Sequence, residues 1–397
     1  MKSKKVLFIH HGKIAGGAPL SMLYTMQGVR ERGYNIIVGL VSPIPELHEL
    51  YNKNGFQTFP MSWIPVFLTW SGSEGKRWNP VMWRNAYSAY SRWKTAKKKL
   101  LEFVEKHKVD LIHLNSAGLS NPAAALLDNN LPFVWHVREH GPSHKGRRFN
   151  FIAEKLKIAK AVIFLSKAEQ KSWTASNNHG TVVHNFIDFD KFDFQLSKAV
   201  NHQQFGLEND CKILLYVGGS KLHKGIIPLL YALAIVKKKY KGKFVCLMPD
   251  TLIPENGNIT PEQRKIRSII KAENIDNICQ LMPFNPDIID LFAVCDILAF
   301  PATKPHFARP IIEASAMKKP VIASNLPAID ELVLPNKTGY LVPESDHQML
   351  AEKIIYLFEN PEVCQEMGEE GYKFAQDQFE FNKQIDKIEQ IYLRLLK

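Results

Sequence analysis

The segment 217–225 (Val-Gly-Gly-Ser-Lys-Leu-His-Lys-Gly) brings glycine, hydroxyl and cationic residues together where an apolar strand pattern gives way to a helix pattern. Backbone amides at a helix N-terminus and lysine ammonium groups both bind phosphate oxygens. The segment lacks the spacing of a P-loop. It predicts a diphosphate-binding loop, and a solvated basic turn is the alternative. The candidate residues are Gly219, Ser220, Lys221 and Lys224.

Two further loops follow predicted strands. Residues 301–309 precede a helix that starts near Pro310, which places Glu313 within or just after its first turn. A carboxylate there can accept two hydrogen bonds from a ribose diol while the helix dipole faces phosphate, or it can simply support the dipole. The loop 11–19 contains Gly16-Gly17, whose small size lets a ligand approach the backbone, although such a pair is also ordinary loop chemistry.

The elements that must position these loops are short apolar strands alternating with helices. Strands buried on both faces of a parallel sheet have this β-branched, continuous apolar pattern. The predicted strands are Val6–Ile9, Asn35–Leu40, Leu111–Leu114, Phe133–His136, Val162–Leu165, Val182–His184, Ile213–Val217, Phe244–Leu247, Ile297–Phe300 and Pro320–Ser324. The predicted helices include Leu20–Arg32, Ser91–Lys106, Ile226–Tyr240, Ile259–Glu273 and Leu350–Glu359. The alternation predicts an α/β protein with two doubly wound parallel sheets.

Length and composition agree with that class. A chain of 397 residues suits two domains, and a content of 45% hydrophobic and 23% charged residues is typical of a soluble globular protein. No run approaches the ~18 apolar residues of a membrane span, and the apolar segment at the N-terminus is too short for a signal peptide. The five widely spaced cysteines exclude a disulfide framework and a zinc site, which predicts reduced cysteines in a cytoplasmic protein.

The net charge of +12 is concentrated in two parts of the N-terminal half. Residues 61–110 carry ten Lys or Arg against four Asp or Glu, and residues 138–160 carry seven against two. Residues 63–93 also hold five of the seven tryptophans. An aromatic, basic helix can lie on an anionic bilayer, so residues 63–99 are predicted to contact a membrane peripherally. The alternative is that the aromatic residues pack on the domain core. Nucleic-acid binding is not expected, because no recognisable module is present.

Several segments, taken together, resemble the retaining family-4 glycosyltransferases. Residues 307–324 (Phe-Ala-Arg-Pro-Ile-Ile-Glu-Ala-Ser-Ala-Met-Lys-Lys-Pro-Val-Ile-Ala-Ser) resemble the donor-site signature of that family. The segments 135–139, 183–188 and 336–343 are also similar to the family and occur in its order. The resemblance implies the GT-B fold, in which two doubly wound Rossmann-like domains face each other across a cleft. Closure about Asn185–Phe186 would gate the reaction.

The resemblance also implies domain limits and residue roles. An acceptor-binding domain would span residues 1–190, completed by a C-terminal helix over 376–397, and a donor-binding domain would span 191–375. The catalytic candidates are His136, which would reach toward the transferred sugar, Lys224, which would neutralise the donor diphosphate, and Glu313, which would bind the ribose. The donor-binding candidates are Gly16, Gly17, Gly219, Ser220, Lys221, Lys224, His306, Phe307, Ala308, Arg309 and Glu313.

Two departures from the family pattern concern the donor site. Pro305, followed by His306, stands where the first glutamate of the family's Glu-x7-Glu motif is expected. Gly219 stands where an arginine usually precedes the lysine of the phosphate loop, and Lys221 or Arg309 would have to replace that cation. These departures leave a catalytically weakened, nucleotide-sugar-binding or regulatory protein as the alternative to an active transferase. A GT-B epimerase is a further alternative.

The resemblance therefore implies a retaining transferase that moves a sugar from a nucleotide-diphosphate sugar to a hydroxyl of a lipid-linked or cell-surface glycan. No cofactor or metal is expected. Asp188-Phe189-Asp190 matches an Asp-x-Asp metal motif, but its position after a strand at the predicted hinge favours a structural role. The expected location is the cytoplasm, at the inner face of the cytoplasmic membrane, and the expected partners are the donor, the glycan acceptor and anionic lipid.

Overall fold

A computed structural model of the chain describes residues 3–12, 17–66, 80–142, 147–174, 180–195, 202–251, 259–284 and 288–397, with the backbone alone for 80–91 and 147–148. It divides into two compact units. The first contains residues 1–185 and 381–397, and the second contains residues 186–380. The limits expected from the sequence lie about five residues from these.

The first unit contains a seven-stranded sheet in which every pair is parallel. Its strands are β1 (Lys5–His10), β2 (Asn35–Leu40), β3 (Gln57–Pro60), β4 (Leu111–Leu114), β5 (Phe133–Val137), β6 (Val162–Phe164) and β7 (Thr181–Val182). Its helices are α1 (Gly17–Glu31), α2 (Pro45–Lys53), α3 (Pro80–His107), α4 (Ser120–Asp128), α5 (Arg147–Ile158), α6 (Lys167–Thr174) and, from the end of the chain, α13 (Phe381–Leu395).

The second unit repeats the plan with six parallel strands. They are β8 (Lys212–Leu215), β9 (Phe244–Met248), β10 (Cys279–Leu281), β11 (Ile297–Phe300), β12 (Val321–Ser324) and β13 (Gly339–Val342). The helices are α7 (Ile226–Lys239), α8 (Pro261–Ala272), α9 (Ile289–Val294), α10 (Arg309–Ala316), α11 (His347–Glu359) and α12 (Pro361–Phe379).

The strand order identifies where each sheet can bind a ligand. The orders are β3-β2-β1-β4-β5-β6-β7 and β10-β9-β8-β11-β12-β13. Each order reverses direction beside its first strand, between β1 and β4 and between β8 and β11. Ligands of doubly wound sheets bind beyond the carboxyl ends of the strands at such a switch point. The loops after β8 and β11, which contain Lys224 and residues 301–309, lie at this point of the second unit.

The strands that the sequence predicts are present, with small shifts at their ends. The strand predicted over Ile213–Val217 extends two residues past the C-terminal end of β8. The strand predicted over Val182–His184 extends two residues past the C-terminal end of β7. The His184 amide donates to Gln384 Oε1 of α13 instead of to a neighbouring strand. Three strands escape prediction, namely β3, β10 and β13, and all three lie at a sheet edge. Edge strands are partly exposed and therefore lack the continuous apolar pattern of central strands.

The residues that follow the predicted hinge at Asn185–Phe186 pack within the second unit. Phe186, Ile187 and Phe192 are buried, and the Ile187 amide donates to the Phe379 carbonyl at 2.8 Å. The ring of Phe194 packs edge-on against Tyr372 at 5.7 Å between ring centroids. These contacts make the segment part of the core of the second unit.

Candidate functional site

The loop between β8 and α7 presents Lys224 at the N-terminus of α7. Residues Leu222–Lys224 form one turn of 3₁₀-helix, and Gly225 then adopts a left-handed φ of +89° before α7 begins at Ile226. The tight turn places the lysine beside the free backbone amides of the helix N-terminus. An anion bound there would interact with both the ammonium group and the positive end of the helix dipole.

The loop after β11 packs directly against this lysine loop. The Thr303 amide donates to the His223 carbonyl at 3.0 Å. A Cβ atom added to Gly225 would lie 1.8 Å from the Pro301 carbonyl oxygen, so only glycine allows the two backbones to approach this closely. Lys224 Nζ lies 5.7 Å from the centre of the Phe300 ring. The structure therefore brings together the two loops that the sequence predicted separately.

The electrostatics of the two loops favour an anionic ligand. Burial, with Lys221 nearby, lowers the pKa of Lys224 from 10.5 to about 7. Burial and the positive charges of Lys224, Lys221 and Lys304 lower the pKa of His223 to about 4. Within the described part of the chain, none of the three ammonium groups forms an ion pair with a carboxylate. A cluster of cations in a partly desolvated position is stabilised by bound negative charge.

Glu313 lies just after the first turn of α10 and is buried. Its Oε1 accepts a hydrogen bond from Arg309 Nε at 2.6 Å, and the two side chains are only 10% and 13% exposed. A buried, paired carboxylate of this kind stays in place to accept hydrogen bonds from a diol. The pairing also directs the Arg309 guanidinium toward Glu313, so Lys221 is the better candidate for the missing cation of the phosphate loop.

Gly219, where the family pattern has arginine, is constrained by its surroundings. Its φ is +60°, and an added Cβ atom would lie 2.7 Å from Asp250 Oδ2. Ser220 Oγ donates to the Asp250 carbonyl at 3.4 Å. The departure at Gly219 is therefore built into the local backbone and the position of Asp250.

At the other departure from the family pattern, Pro305 and His306, His306 Nδ1 lies 2.9 Å from the Lys304 carbonyl oxygen, and Phe307 and Ala308 are buried.

In the first unit, His136 lies at the end of β5 and is 2% exposed. Its Nδ1 is 3.1 Å from Nε2 of His113 in β4, and His113 Nδ1 is 2.6 Å from the Tyr392 hydroxyl of α13. His136 Nε2 is buried and has no hydrogen-bond partner among the described residues. Burial first, then the charge of Arg138, holds the pKa of His136 well below its usual value. This imidazole is therefore neutral at physiological pH.

Arg138 is a functional candidate that sequence reasoning assigned to the basic surface. The structure instead turns its guanidinium toward Ser21, Asn115 and Asn185, with Nη1 donating to Ser21 Oγ at 2.8 Å and to Asn185 Oδ1 at 3.1 Å. Asn115 Nδ2 lies 3.2 Å from Nδ1 of the buried His10. The sequence feature that could have identified Arg138 is the occurrence of polar residues directly after the buried strands β4 and β5.

Glu139, which follows Arg138, has a structural role. Its carboxylate accepts hydrogen bonds from Ser116 Oγ and from the backbone amide of Ala117, the latter at 2.8 Å. It thus caps the short 3₁₀-helix Ala117–Leu119 that follows β4. Of the predicted glycine pair, Gly16 lies outside the described residues, and Gly17 is the exposed first residue of α1.

The Asp-x-Asp segment forms a turn. Asp188 Oδ1 accepts hydrogen bonds from the backbone amides of Asp190 (3.1 Å) and Lys191 (3.4 Å). This geometry supports the structural role expected from the sequence. Across the described ranges, no group of three or more His, Cys, Asp or Glu side chains is arranged to hold a metal ion. The cysteines in those ranges are free thiols.

Comparison with known proteins agrees with this architecture. Residues 15–191 match the model of Glycosyltransferase Family 4, and residues 197–374 match that of Glycosyl transferases group 1. The capsular polysaccharide biosynthesis glycosyltransferase CapM of Staphylococcus aureus is 26% identical over 326 residues, which are 78% of this chain and 82% of CapM. N-acetyl-alpha-D-glucosaminyl L-malate synthase of Bacillus anthracis is 24% identical over 54% of each protein.

A solved structure, that of Anabaena Alr3699/HepE in complex with UDP, is similar over 98% of this chain and all of that chain, with a TM-score of 0.78 at 22% identity. Two doubly wound units with these matches define a glycosyltransferase with the GT-B fold. The chain belongs to the family-4, group 1 glycosyltransferases. The predicted family and fold class are thereby confirmed. No helix among the described residues is long and apolar enough to span a bilayer.

Proposed function

We propose that this enzyme is a retaining, metal-independent glycosyltransferase that moves a sugar from a UDP-sugar to a hydroxyl of a cell-surface or lipid-linked glycan. The observation that carries the proposal is the pair of lysines just before α7, Lys221 and Lys224, neither of which forms a salt bridge within the described structure. The Asp250 carboxylate, on which the charge of Lys221 acts, lies beside this loop. UDP is the proposed nucleotide because it is bound in the similar HepE structure. A glycan acceptor is proposed because CapM acts in capsular polysaccharide biosynthesis.

The proposed chemistry needs stabilisation of the leaving diphosphate. Lys224, Lys221 and the N-terminus of α7 would supply positive charge where negative charge develops. Removing one such group costs about 10²–10³ in rate. The acceptor hydroxyl would attack on the face from which the phosphate leaves, and the departing phosphate oxygen would take its proton. Neither an enzymic base nor a metal is required by this scheme.

Contact with an anionic membrane is part of the proposal, and α5 offers an additional surface for it. Phe151 is 41% exposed and Ile158 is 60% exposed, and their spacing of seven residues puts them on one helix face. Lys155 lies between them, with its ammonium 5.9 Å from the Phe151 ring centre. In α3, Lys97 pairs with Asp128 at 2.9 Å, which reduces the charge available to lipid there. The side chains of Trp83, Tyr87 and Tyr90 lie outside the described structure.

A panel of nucleotide sugars tests the transferase proposal. The protein is incubated with UDP-, GDP- and ADP-sugars, with and without an excess of EDTA, and hydrolysis and transfer to lipid-linked glycans are followed by NMR. Release of UDP with formation of a product of unchanged anomeric configuration, insensitive to EDTA, is expected. An inverted product would refute retention, and loss of turnover in EDTA would refute metal independence. Nucleotide binding without any turnover would favour the binding or regulatory alternative.

Vesicles test the membrane contact separately. Binding to vesicles that contain anionic lipid should fall when Phe151 and Ile158 are both replaced by serine, because less apolar surface would then be buried in the interface. Replacing Lys97, Lys98 and Lys99 by glutamate should also weaken binding. Tyr231→Ser is the matched control, because this residue of α7 is 38% exposed and lies on the other unit. Undiminished binding of both altered proteins would overturn the membrane proposal.

A further inference from the structure

Asp250 lies beside the phosphate loop, defined here as residues 217–225 of the second unit. It follows β9, which is the neighbour of β8, the strand that leads into this loop. A Cβ atom added to Gly219 would lie 2.7 Å from Asp250 Oδ2. The Ser220 hydroxyl donates to the Asp250 backbone carbonyl at 3.4 Å, and the Asp250 amide donates to the Pro283 carbonyl at 3.3 Å. These contacts place the carboxylate against the backbone of the phosphate loop.

The backbone conformation fixes this arrangement. Gly219 has a φ of +60° and Asp250 has a φ of +59°, and both values lie in the left-handed region. Aspartate and asparagine adopt this region more readily than most residues other than glycine, although at some cost. Such a conformation persists only where the surroundings enforce it. The position of the carboxylate is therefore set by the local backbone, and asparagine can replace aspartate there without a change of fold.

The charge of Asp250 acts on the same part of the loop as the charges of the lysines. The side chain is exposed to solvent, yet partial burial raises the pKa of its carboxyl, and the charge of Lys221 opposes this rise. Lys221 is also the charged neighbour that helps to lower the pKa of Lys224. In the described part of the chain, the Asp250 carboxylate forms no salt bridge. Its negative charge therefore acts on the loop without being neutralised by direct pairing.

The sign of this effect on a phosphate ligand follows from charge alone. The loop has glycine where the family pattern has arginine, and a carboxylate lies beside that glycine. Like charges repel in any orientation, whereas a hydrogen bond from a ligand to Asp250 would need a particular geometry. UDP carries about three negative charges above pH 7 and a UDP-sugar about two, because only the terminal phosphate of UDP is free to ionise twice. The carboxylate therefore disfavours the nucleotide product more than the donor.

We propose that Asp250 is an affinity-determining residue whose carboxylate weakens the binding of a diphosphate in this loop and promotes release of the nucleotide product. The inference rests on the proposed function for the identity of the ligand, and it leaves the roles proposed for Lys221 and Lys224 unchanged. Two unit charges about 10 Å apart in water interact enough to change a binding constant about twofold. Removing the charge of Asp250 should therefore tighten binding about eightfold for a ligand with about three charges, and about fourfold for one with about two.

Calorimetry with the Asp250→Asn variant tests the proposal, because this change keeps the size of the side chain and removes its charge. At about pH 8 and low salt, the Kd for UDP should fall about eightfold relative to the natural protein, and the Kd for UMP, which carries about two charges, should fall about fourfold. In about 1 M salt, where the Debye length is about 3 Å, these differences should disappear. Asp276→Asn is the matched control and should change neither Kd, because it removes the same charge just before β10, at the opposite edge of the sheet.

Three results would overturn the proposal. The first is an unchanged or weaker affinity for UDP in Asp250→Asn. The second is a difference that persists in about 1 M salt, because a structural change would then explain it. The third is an equal gain of affinity in Asp276→Asn, which would show a general effect of net charge.

Pyrophosphate, a probe without a nucleoside, separates this proposal from the proposed function. If UDP binds neither protein but pyrophosphate binds Asp250→Asn more tightly than it binds the natural protein, the proposed function fails and the role of Asp250 stands. If UDP binds both proteins equally well, the role of Asp250 fails and the nucleotide site stands. If neither probe binds either protein, both proposals fail.

Discussion

The half-buried Lys224 predicts that nucleotide binding is coupled to proton uptake. In the ligand-free protein, burial and Lys221 lower its pKa to about 7. A bound diphosphate would place negative charge beside the ammonium group and raise the pKa again toward its ordinary value. Between these two pKa values, binding of the nucleotide must therefore take up one proton.

The sign and size of the effect follow from this linkage. Below pH 7 the lysine is already protonated, so its titration does not change the affinity. Above that pH, each unit weakens binding by up to about tenfold, because a larger fraction of the free protein must first gain a proton. From about pH 7.5 to about pH 9.5, the Kd for UDP should rise by about 70-fold if the bound pKa is fully restored.

Calorimetry with UDP measures this directly. The titrations start near pH 7.5, because the terminal phosphate of the nucleotide is itself deprotonated above about pH 6. Repeating them in buffers of different ionisation enthalpy gives the number of protons taken up. Lys224→Arg is the matched variant, because a guanidinium stays protonated throughout this range and should bind UDP with a flat pH profile. Lys224→Met should bind more weakly, also with a flat profile.

Two results would refute this reasoning. One is a Kd for UDP that does not change between the two pH limits in the natural protein, with no proton taken up. The other is a pH dependence that persists in Lys224→Met, since another group would then be titrating. Weak binding alone would not refute the coupling, because the slope, and not the absolute affinity, reports the lysine.

Three further predictions concern the second unit. Gly225→Ala should lower the free energy of unfolding by about 3 kcal/mol or more, measured by urea denaturation, because it combines a left-handed φ with a clash against Pro301. Gly206 is the control, because its φ is also left-handed, at +71°, but an added Cβ atom would meet no neighbouring atom. Gly206→Ala should lower the free energy of unfolding by only about 1 kcal/mol. Equal losses in the two variants would show that the contact between the two loops is unimportant. Glu313→Ala should cost about 3 kcal/mol, since Arg309, whose side chain is only 13% exposed, loses its 2.6 Å carboxylate partner. It should also abolish UDP binding, because the proposed acceptor of the ribose hydroxyls is lost. Glu313→Gln should retain the fold, and unchanged UDP affinity in both variants would disprove the ribose role. Asp188→Ala should lower the free energy of unfolding by about 1 kcal/mol, because the hydrogen bonds that Asp188 accepts in its turn are lost. Its activity in EDTA should equal that of the natural protein. A metal-dependent rate in the natural protein or in the variant would contradict the structural role of Asp188.

The amino-acid sequence predicts most of the framework because the central strands carry their own signal. A strand buried on both faces is a short run of apolar residues, and β2, β4 and β11 lie where this pattern predicts them. Three of the four edge strands were missed because half-exposed residues carry no such pattern. In β3, for example, the four residues are exposed or only partly buried. The apolar pattern of a strand therefore depends on how deeply the folded sheet buries it.

The candidate site divides in the same way. Lys224 and Glu313 could be proposed from the sequence because Lys224 lies between a recognisable strand and a helix, and Glu313 lies near the start of a helix that follows another such strand. A local pattern therefore defines the surroundings of each. Their relation could not be predicted, since it depends on β8 and β11 being neighbours in the sheet. The pairing of Glu313 with Arg309 also needed the structure, because the same spacing on an exposed helix would hold both groups in water.

The sequence by itself determined the family, the two doubly wound sheets, the loop that contains Lys224 and the helix start that contains Glu313, because these depend on short segments with strong local patterns. Only the tertiary structure decided the surroundings of His136. Its state depends on His113 in the neighbouring strand and on Tyr392 in the last helix. Side chains so distant in the sequence meet only after the sheet has formed and α13 has packed against it. The hydrogen bonds between these side chains therefore leave no mark on the local sequence pattern.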